Sequence, residues 1–188
     1  MSISCINAQD FNETEISHSD SNILKYSNDE IQSSHNEDIL NEGDGSLSEF
    51  KNLIFESPTN SEIKLTKNYT YNPQFDSGGP IPADVISINK KITIDGQGHT
   101  INFMNKVRAF RITGENVTLK NLVITNANFT QKSSSGTNLG TINWQGVNGT
   151  VCNVTFFRNY GDYGIIYLNS SINNDYLNVI NSTFIENN

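Results

Sequence analysis

The chain of 188 residues contains no run of about 18 apolar residues, so no stretch of it reads as a membrane-spanning helix. Cysteine is nearly absent: Cys5 and Cys152 are the two present. Cys5 lies in a polar, acidic stretch, so neither a disulfide framework nor a bridge between the pair is expected. The three histidines, His18, His35 and His99, share no ligand spacing with those cysteines, so no metal or other cofactor is expected. Basic charge is scarce, with 12 Lys and Arg against 20 Asp and Glu. No basic stripe with interleaved stacking aromatics occurs, which argues against a nucleic-acid partner. Apolar residues make up only 35%, low for a compact α/β enzyme but sufficient for a solenoid built on a thin core column.

The net charge of −8 is unevenly spread: residues 1–45 hold ten of the twenty acids and a single base, Lys25. Rich in Ser, Asn, Asp and Glu, with scattered Ile and Leu and no sustained period, residues 1–45 read as a disordered acidic spacer. An acidic binding tail is the alternative. Residues 1–9 lack a basic start and a full apolar run, and read as a remnant of a signal peptide at most. At Ser46 the character changes. Ser46 with Glu49 forms a capping-box pattern, and Leu47, Phe50 and Leu53/Ile54 follow at helical spacing until Pro58. A solenoid must cover its first coil, because an open end exposes apolar side chains and strand edges. This helix is the expected lid; a free or partner-binding amphipathic helix is the alternative. Residues 72–84, with three prolines and two glycines, read as loop.

What the chain has in abundance is short apolar pairs one residue apart. They are Ile86/Ile88, Ile92/Ile94, Ile101/Phe103, Phe110/Ile112, Val117/Leu119 and Leu122/Ile124, separated by brief gaps of Gly, Asn, Asp and Lys. Each pair marks a strand with alternate side chains on one face, and the gaps are too short for helices. Regular winding is expected from Val85, preceded by an alternating strand at Glu62–Thr66 and continued at Tyr69–Tyr71. A self-match supports a coil repeat. Asn121, Asn153 and Asn181 recur after 32 and 28 residues, each followed three residues on by Ile124, Phe156 or Phe184. Gly140-Thr-Ile-Asn-Trp and Gly164-Ile-Ile-Tyr-Leu form a second series, 24 residues apart, and residues 132–138 read as a loop insertion. Asn at fixed corners tolerates left-handed backbone and can stack into ladders. The expected class is all-β: a parallel β-helix with an N-terminal capping α-helix, in which residues 46–188 are cap and opening coils. The last residues lie inside a repeat, so the natural protein is expected to continue beyond Asn188.

Phe156-Phe-Arg-Asn159 and Phe184-Ile-Glu-Asn187 resemble the Phe-x-x-Asn element of polymorphic outer-membrane protein repeats. Gly140-Thr-Ile and Gly164-Ile-Ile look like degraded forms of the accompanying Gly-Gly-Ala-Ile element. The run Ile92-Thr-Ile-Asp-Gly-Gln-Gly-His-Thr-Ile101, then Phe110-Arg-Ile-Thr and Val117-Thr-Leu-Lys-Asn-Leu, resembles the opening of the adhesin-like surface proteins of methanogenic archaea. Those belong to the pectin-lyase-like right-handed β-helix superfamily. The resemblance covers roughly residues 47–188. It implies a right-handed helix, secretion, display on the cell surface and attachment, and it names no ligand.

The β-helix superfamily includes lyases and glycosidases, so catalysis must be weighed. Glycoside hydrolysis needs two facing carboxylates, and no acids of residues 46–188 recur at coil spacing. Asp95, in Asp-Gly-Gln-Gly, reads as an Asx turn, and His99 as a corner residue rather than a base. A lyase would want calcium-binding acids grouped with a base, and Lys106, Arg108 and Arg111 have no such acids beside them in sequence. No catalytic residue is assigned. Eight Asn-x-Ser/Thr sequons occur, at Asn12, Asn68, Asn116, Asn128, Asn148, Asn153, Asn169 and Asn181. Asn153 and Asn181 sit at repeat positions, so Asn68 and Asn148 are the preferred glycan acceptors. Exposed aromatics stack on sugar faces, and Tyr160 and Tyr163, flanking Gly161-Asp162 in a predicted turn, are the expected carbohydrate contacts. Trp144 and Tyr167 are expected to fill or flank the core. Two functions follow: a non-enzymatic extracellular stalk that attaches to an envelope polysaccharide or protein, or a polysaccharide lyase or hydrolase with its catalytic coils further on.

Overall fold

The computed structural model describes residues 43–76, 86–128, 140–169 and 176–188, and shows a right-handed parallel β-helix closed at one end by a helix. Residues 1–42, with Cys5, Asn12 and almost all of the expected acidic spacer, lie outside the described residues, as does the insertion at 132–138. Every strand pair is parallel. The first face stacks β2 (Ser61–Lys64), β5 (Ile92–Asp95), the first part of β8 (Thr118–Thr125), the first part of β10 (Gly149–Phe157) and β12 (Leu177–Ile180). The second stacks β1 (Gly45–Ser46), β3 (Tyr69–Thr70), β6 (Thr100–Asn102), the later parts of β8 and β10, and β13 (Thr183–Ile185). The third holds β4 (Ile86–Ile88), β7 (Phe110–Ile112), β9 (Ile142–Trp144) and β11 (Ile166–Leu168).

The apolar pairs are the inward halves of these strands. Ile63, Ile94, Leu119 and Val151 form one column; Tyr69, Ile101, Ile124 and Phe156 form another; Ile88, Ile112 and Trp144 form a third. All are buried. Both repeat series hold: Ile124 aligns with Phe156 and Phe184, and Ile142 with Ile166. Winding starts earlier than Val85, since β2 and β3 already pair with β5 and β6. The lack of alternating pairs between Tyr71 and Val85 hid that first coil.

Corners explain the asparagines. Asn121, Asn153 and Asn181 have φ of 53°, 53° and 46°, so one left-handed residue turns the chain between the first and second faces. Their side chains form a ladder: Asn153 Nδ2 donates to Asn121 Oδ1 at 2.9 Å, and Asn121 Nδ2 to Asp95 Oδ1 at 3.1 Å. Asn159 and Asn187 clamp the next corner. Asn159 Nδ2 donates to the Ile124 carbonyl at 2.9 Å, and Asn187 Nδ2 to that of Phe156 at 2.8 Å. Each thereby satisfies a backbone group of the coil before it, which is the physical content of Phe-x-x-Asn.

The lid is α1 (Leu47–Glu56), with Leu47, Phe50 and Ile54 buried. Phe50 is fully buried against Tyr69 and Phe110, with ring centroids 5.1 and 6.3 Å away. Burying three such side chains contributes roughly 1.5–3 kcal/mol each. Ser46 Oγ accepts from Glu49 N at 3.1 Å, as the capping pattern requires. A second cap comes from the stretch read as loop, where residues Pro73–Asp76 form a short helix, α2. Its Asp76 carboxylate accepts from Ser48 N at 2.6 Å and Leu47 N at 3.2 Å. Pro73 cannot sit in a central strand, but proline suits a first helical turn.

Cys152 is buried on β10 and disulfide-bonded, contrary to the expectation that no bridge forms. That expectation weighed only the surroundings of Cys5, which lies outside the described residues.

Candidate functional site

Two groups of polar side chains stand on the outer surface, and they have opposite characters. The first is locked. On the first face Lys120 Nζ lies 2.8 Å from Glu62 Oε1 and 3.2 Å from Asp95 Oδ2. Asp95 also accepts from Gln97 N at 3.1 Å, the expected Asx turn, and from Asn121 in the ladder. Burial pushes the Asp95 carboxyl up, but hydrogen bonds from Asn121, Gln97 and Lys120 outweigh it and hold the carboxyl below its ordinary value. Lys120 is raised, first by its hydrogen bond to Glu62 and further by Asp95, against the opposing effect of burial. Every polar atom here already serves the fold. His99 closes the adjacent turn through its backbone, donating to Gly96 O at 2.8 Å and accepting from Val123 N, as a corner residue does.

The second group is partly exposed. Strand alternation turns Ser87, Arg111, Asn143 and Tyr167 outward on the third face, and their register sets them in one column. Neighbouring strands lie about 4.8 Å apart, so Arg111 and Tyr167 stand roughly two such steps from each other. Arg111 is exposed and reaches Gln145 Oε1 at 3.5 Å. Asn143, between them, is only 3% exposed, and among the described residues its Oδ1 has no hydrogen-bond partner.

Beside the column lies the predicted turn, closed by Gly164 N donating to Gly161 O at 2.8 Å. Gly161 has to be glycine, because a Cβ there would collide with the Gly164 carbonyl oxygen. Tyr160 is 37% and Tyr163 60% exposed. The ring set against Tyr163 is that of Tyr167, with centroids 5.7 Å apart and planes at 48°. Tyr160 turns its hydroxyl to Asp162, whose hydrogen bond raises the phenol above its ordinary value. The expected contacts Tyr160 and Tyr163 flank this turn, and coil register adds Tyr167, Asn143 and Arg111, which are 24 and 32 residues apart along the chain. Of the two residues expected to fill or flank the core, Trp144 is fully buried and Tyr167 is half-buried on the outer side of β11.

The preferred glycan acceptors are both half-buried. Asn68 Oδ1 accepts from Thr100 N at 3.0 Å. Asn148 is a left-handed corner with φ of 54°. Among the described residues no three His, Cys, Asp or Glu side chains gather as metal ligands, and no helix is long and apolar enough to cross a membrane.

A family model described as a pectate lyase-like adhesive domain matches residues 46–188, from the helix N-cap through the last coil. The chain belongs to that family. The match spans the same stretch as the resemblance read from the motifs, and the β-helix is the fold that the pectate lyase-like description leads one to expect. No curated protein and no solved structure matches the chain significantly. For this pectate lyase-like adhesive domain, lid, coils and outer column all fall inside the matched residues.

Proposed function

We propose that the chain is a non-enzymatic attachment module of the cell surface, and that its β-helix presents the Arg111–Asn143–Tyr167 column, with Tyr163 and Tyr160 beside it, to a polysaccharide of an envelope or matrix. The observation that carries this reading is the exposed Tyr163 ring set against Tyr167, in the same outer region as the exposed Arg111 guanidinium. Sugars offer a C–H face for the rings and hydroxyl acceptors for the guanidinium. The adhesive description of the family supports it. So does the commitment of Asp95 to the corner ladder, since an acid held by three donors below its ordinary value is poorly placed to act as general acid. An envelope location fits an adhesive role.

The test immobilises neutral and uronate-containing polysaccharides and measures binding of the whole chain, with Tyr163→Ala and Tyr167→Ala as variants of unchanged circular dichroism. Each loses about 0.5–1.5 kcal/mol of ring contact, a roughly 2- to 10-fold weaker Kd. Binding unchanged in both would remove the column as the contact, and release of new sugar chain ends during incubation would overturn the non-enzymatic reading.

A further inference from the structure

The four sequons at Asn116, Asn148, Asn153 and Asn181 share one local syntax. A left-handed corner Asn is followed by an intervening residue and then by a strand Thr, namely Thr118, Thr150, Thr155 and Thr183. The fold itself therefore writes Asn-x-Thr at its corners, and sequence alone cannot separate acceptors from corner residues. Coordinates can, because modification needs an exposed amide whose nitrogen has no other duty. At Asn153, Nδ2 is engaged in the ladder. Asn181 stands in the same column one coil on; it is exposed and no hydrogen bond among the described residues ties its amide, so it meets the same condition as Asn116. Asn68 is half-buried and followed by the buried Tyr69 and Thr70, whose hydroxyl donates to Asp44 at 3.1 Å.

Asn116 differs from Asn68 and Asn153. It is exposed, with φ of 51°, and its backbone N–H donates to Val147 O at 2.7 Å while no hydrogen bond among the described residues ties its side-chain amide. Thr118 and Thr150 pair in register, which puts Asn148 directly beside Asn116 in the next coil, and Gly149 pairing with Leu177 puts Tyr176 on the far side of Asn148. With coils about 4.8 Å apart, two glycans on that pair would overlap, and the more exposed Asn116 is the one with room.

We propose that Asn116 is an N-glycan acceptor, modified by an oligosaccharyltransferase that uses a polyprenyl-diphosphate-linked oligosaccharide. The Asn116 nitrogen bonds to the anomeric carbon as the bond from that carbon to the diphosphate oxygen breaks; the lipid diphosphate leaves, and the amide proton passes to the enzyme's base. This rests on the surface reading, because such donors face exported chains. A glycan at Asn116 lies at the corner between the third and first faces.

The experiment secretes the whole chain from a host that carries out this chemistry and maps glycopeptides by mass. The expected result is a glycan on Asn116, lost in Asn116→Asp and Thr118→Val, kept in Thr118→Ser and Asn148→Gln, with the strand circular dichroism signal unchanged throughout. An unmodified Asn116 in the folded secreted protein overturns the inference, and so does an occupied Asn153 with the fold intact. Polysaccharide binding measured on the same material separates the two readings: bare Asn116 with binding retained refutes this site alone, and a modified Asn116 without binding refutes the attachment reading alone.

Discussion

Single residues carry the corners, and their chemistry sets testable limits. Asp95 holds its proton more weakly when folded than when unfolded, so as pH falls the unfolded chain takes up protons first and stability drops. Its contribution is complete above the ordinary aspartate value of about 4 and disappears as pH falls through the lower folded value. Asp95→Asn is expected to cost about 1.5–3 kcal/mol at pH 7, the range for hydrogen bonds to a charged group. The gap from wild type should narrow in denaturant titrations near pH 3; an equal gap at both pH values would show that the carboxylate charge is irrelevant. Gly149 is a steric requirement, because a Cβ there would collide with the indole of Trp144, which fills the column inside. Gly149→Ala should cost about 1–3 kcal/mol in overpacking, measured as a lower denaturation midpoint with unchanged slope. The Asn corners were visible in the sequence as a recurrence. Their ladder was foreseeable as chemistry, but the donor and acceptor at each step needed coordinates.

Among the elements, the lid helix has the clearest energetics. Phe50→Ala removes a fully buried ring shared with Tyr69 and Phe110 and is expected to cost about 3–5 kcal/mol, whereas Phe55→Ser, at an 84% exposed position, should stay within about 0.5 kcal/mol. If the two variants melted alike, α1 would not be sealing the first coil. Its N-terminus has two independent caps, Ser46 and Asp76. Ser46→Ala and Asp76→Ala should each lower stability by about 1 kcal/mol, read by chemical denaturation. The Ser46–Glu49 pattern and the Leu47–Phe50–Ile54 stripe made the helix readable from local spacing. The Asp76 cap was not readable, because 28 residues separate it from Ser48 and its own helix is one turn long.

At the scale of the whole molecule, the coils convert distance along the chain into adjacency on a surface. Arg111→Ala on the third face should weaken polysaccharide binding, while Lys64→Ala on the first face should leave it unchanged; equal losses would mean that binding is spread over the solenoid and not focused on one column. Local pattern along the chain specifies the all-β class, the parallel winding, the helix that caps the first coil and the alternation that decides which side chains face the core. Those features follow from periods of two and 3.6 residues and from turn chemistry, all of which act between near neighbours. The rest waited on the stacked coils: Tyr167 and not Tyr160 faces Tyr163, Asn143 lies between Arg111 and Tyr167, and Asn116 is exposed where Asn68 and Asn148 are half-buried. The reason is register. Successive coils differ in length through their loops, so which residues meet across a 24- or 32-residue separation is fixed by stacking of the coils and is written in no local pattern.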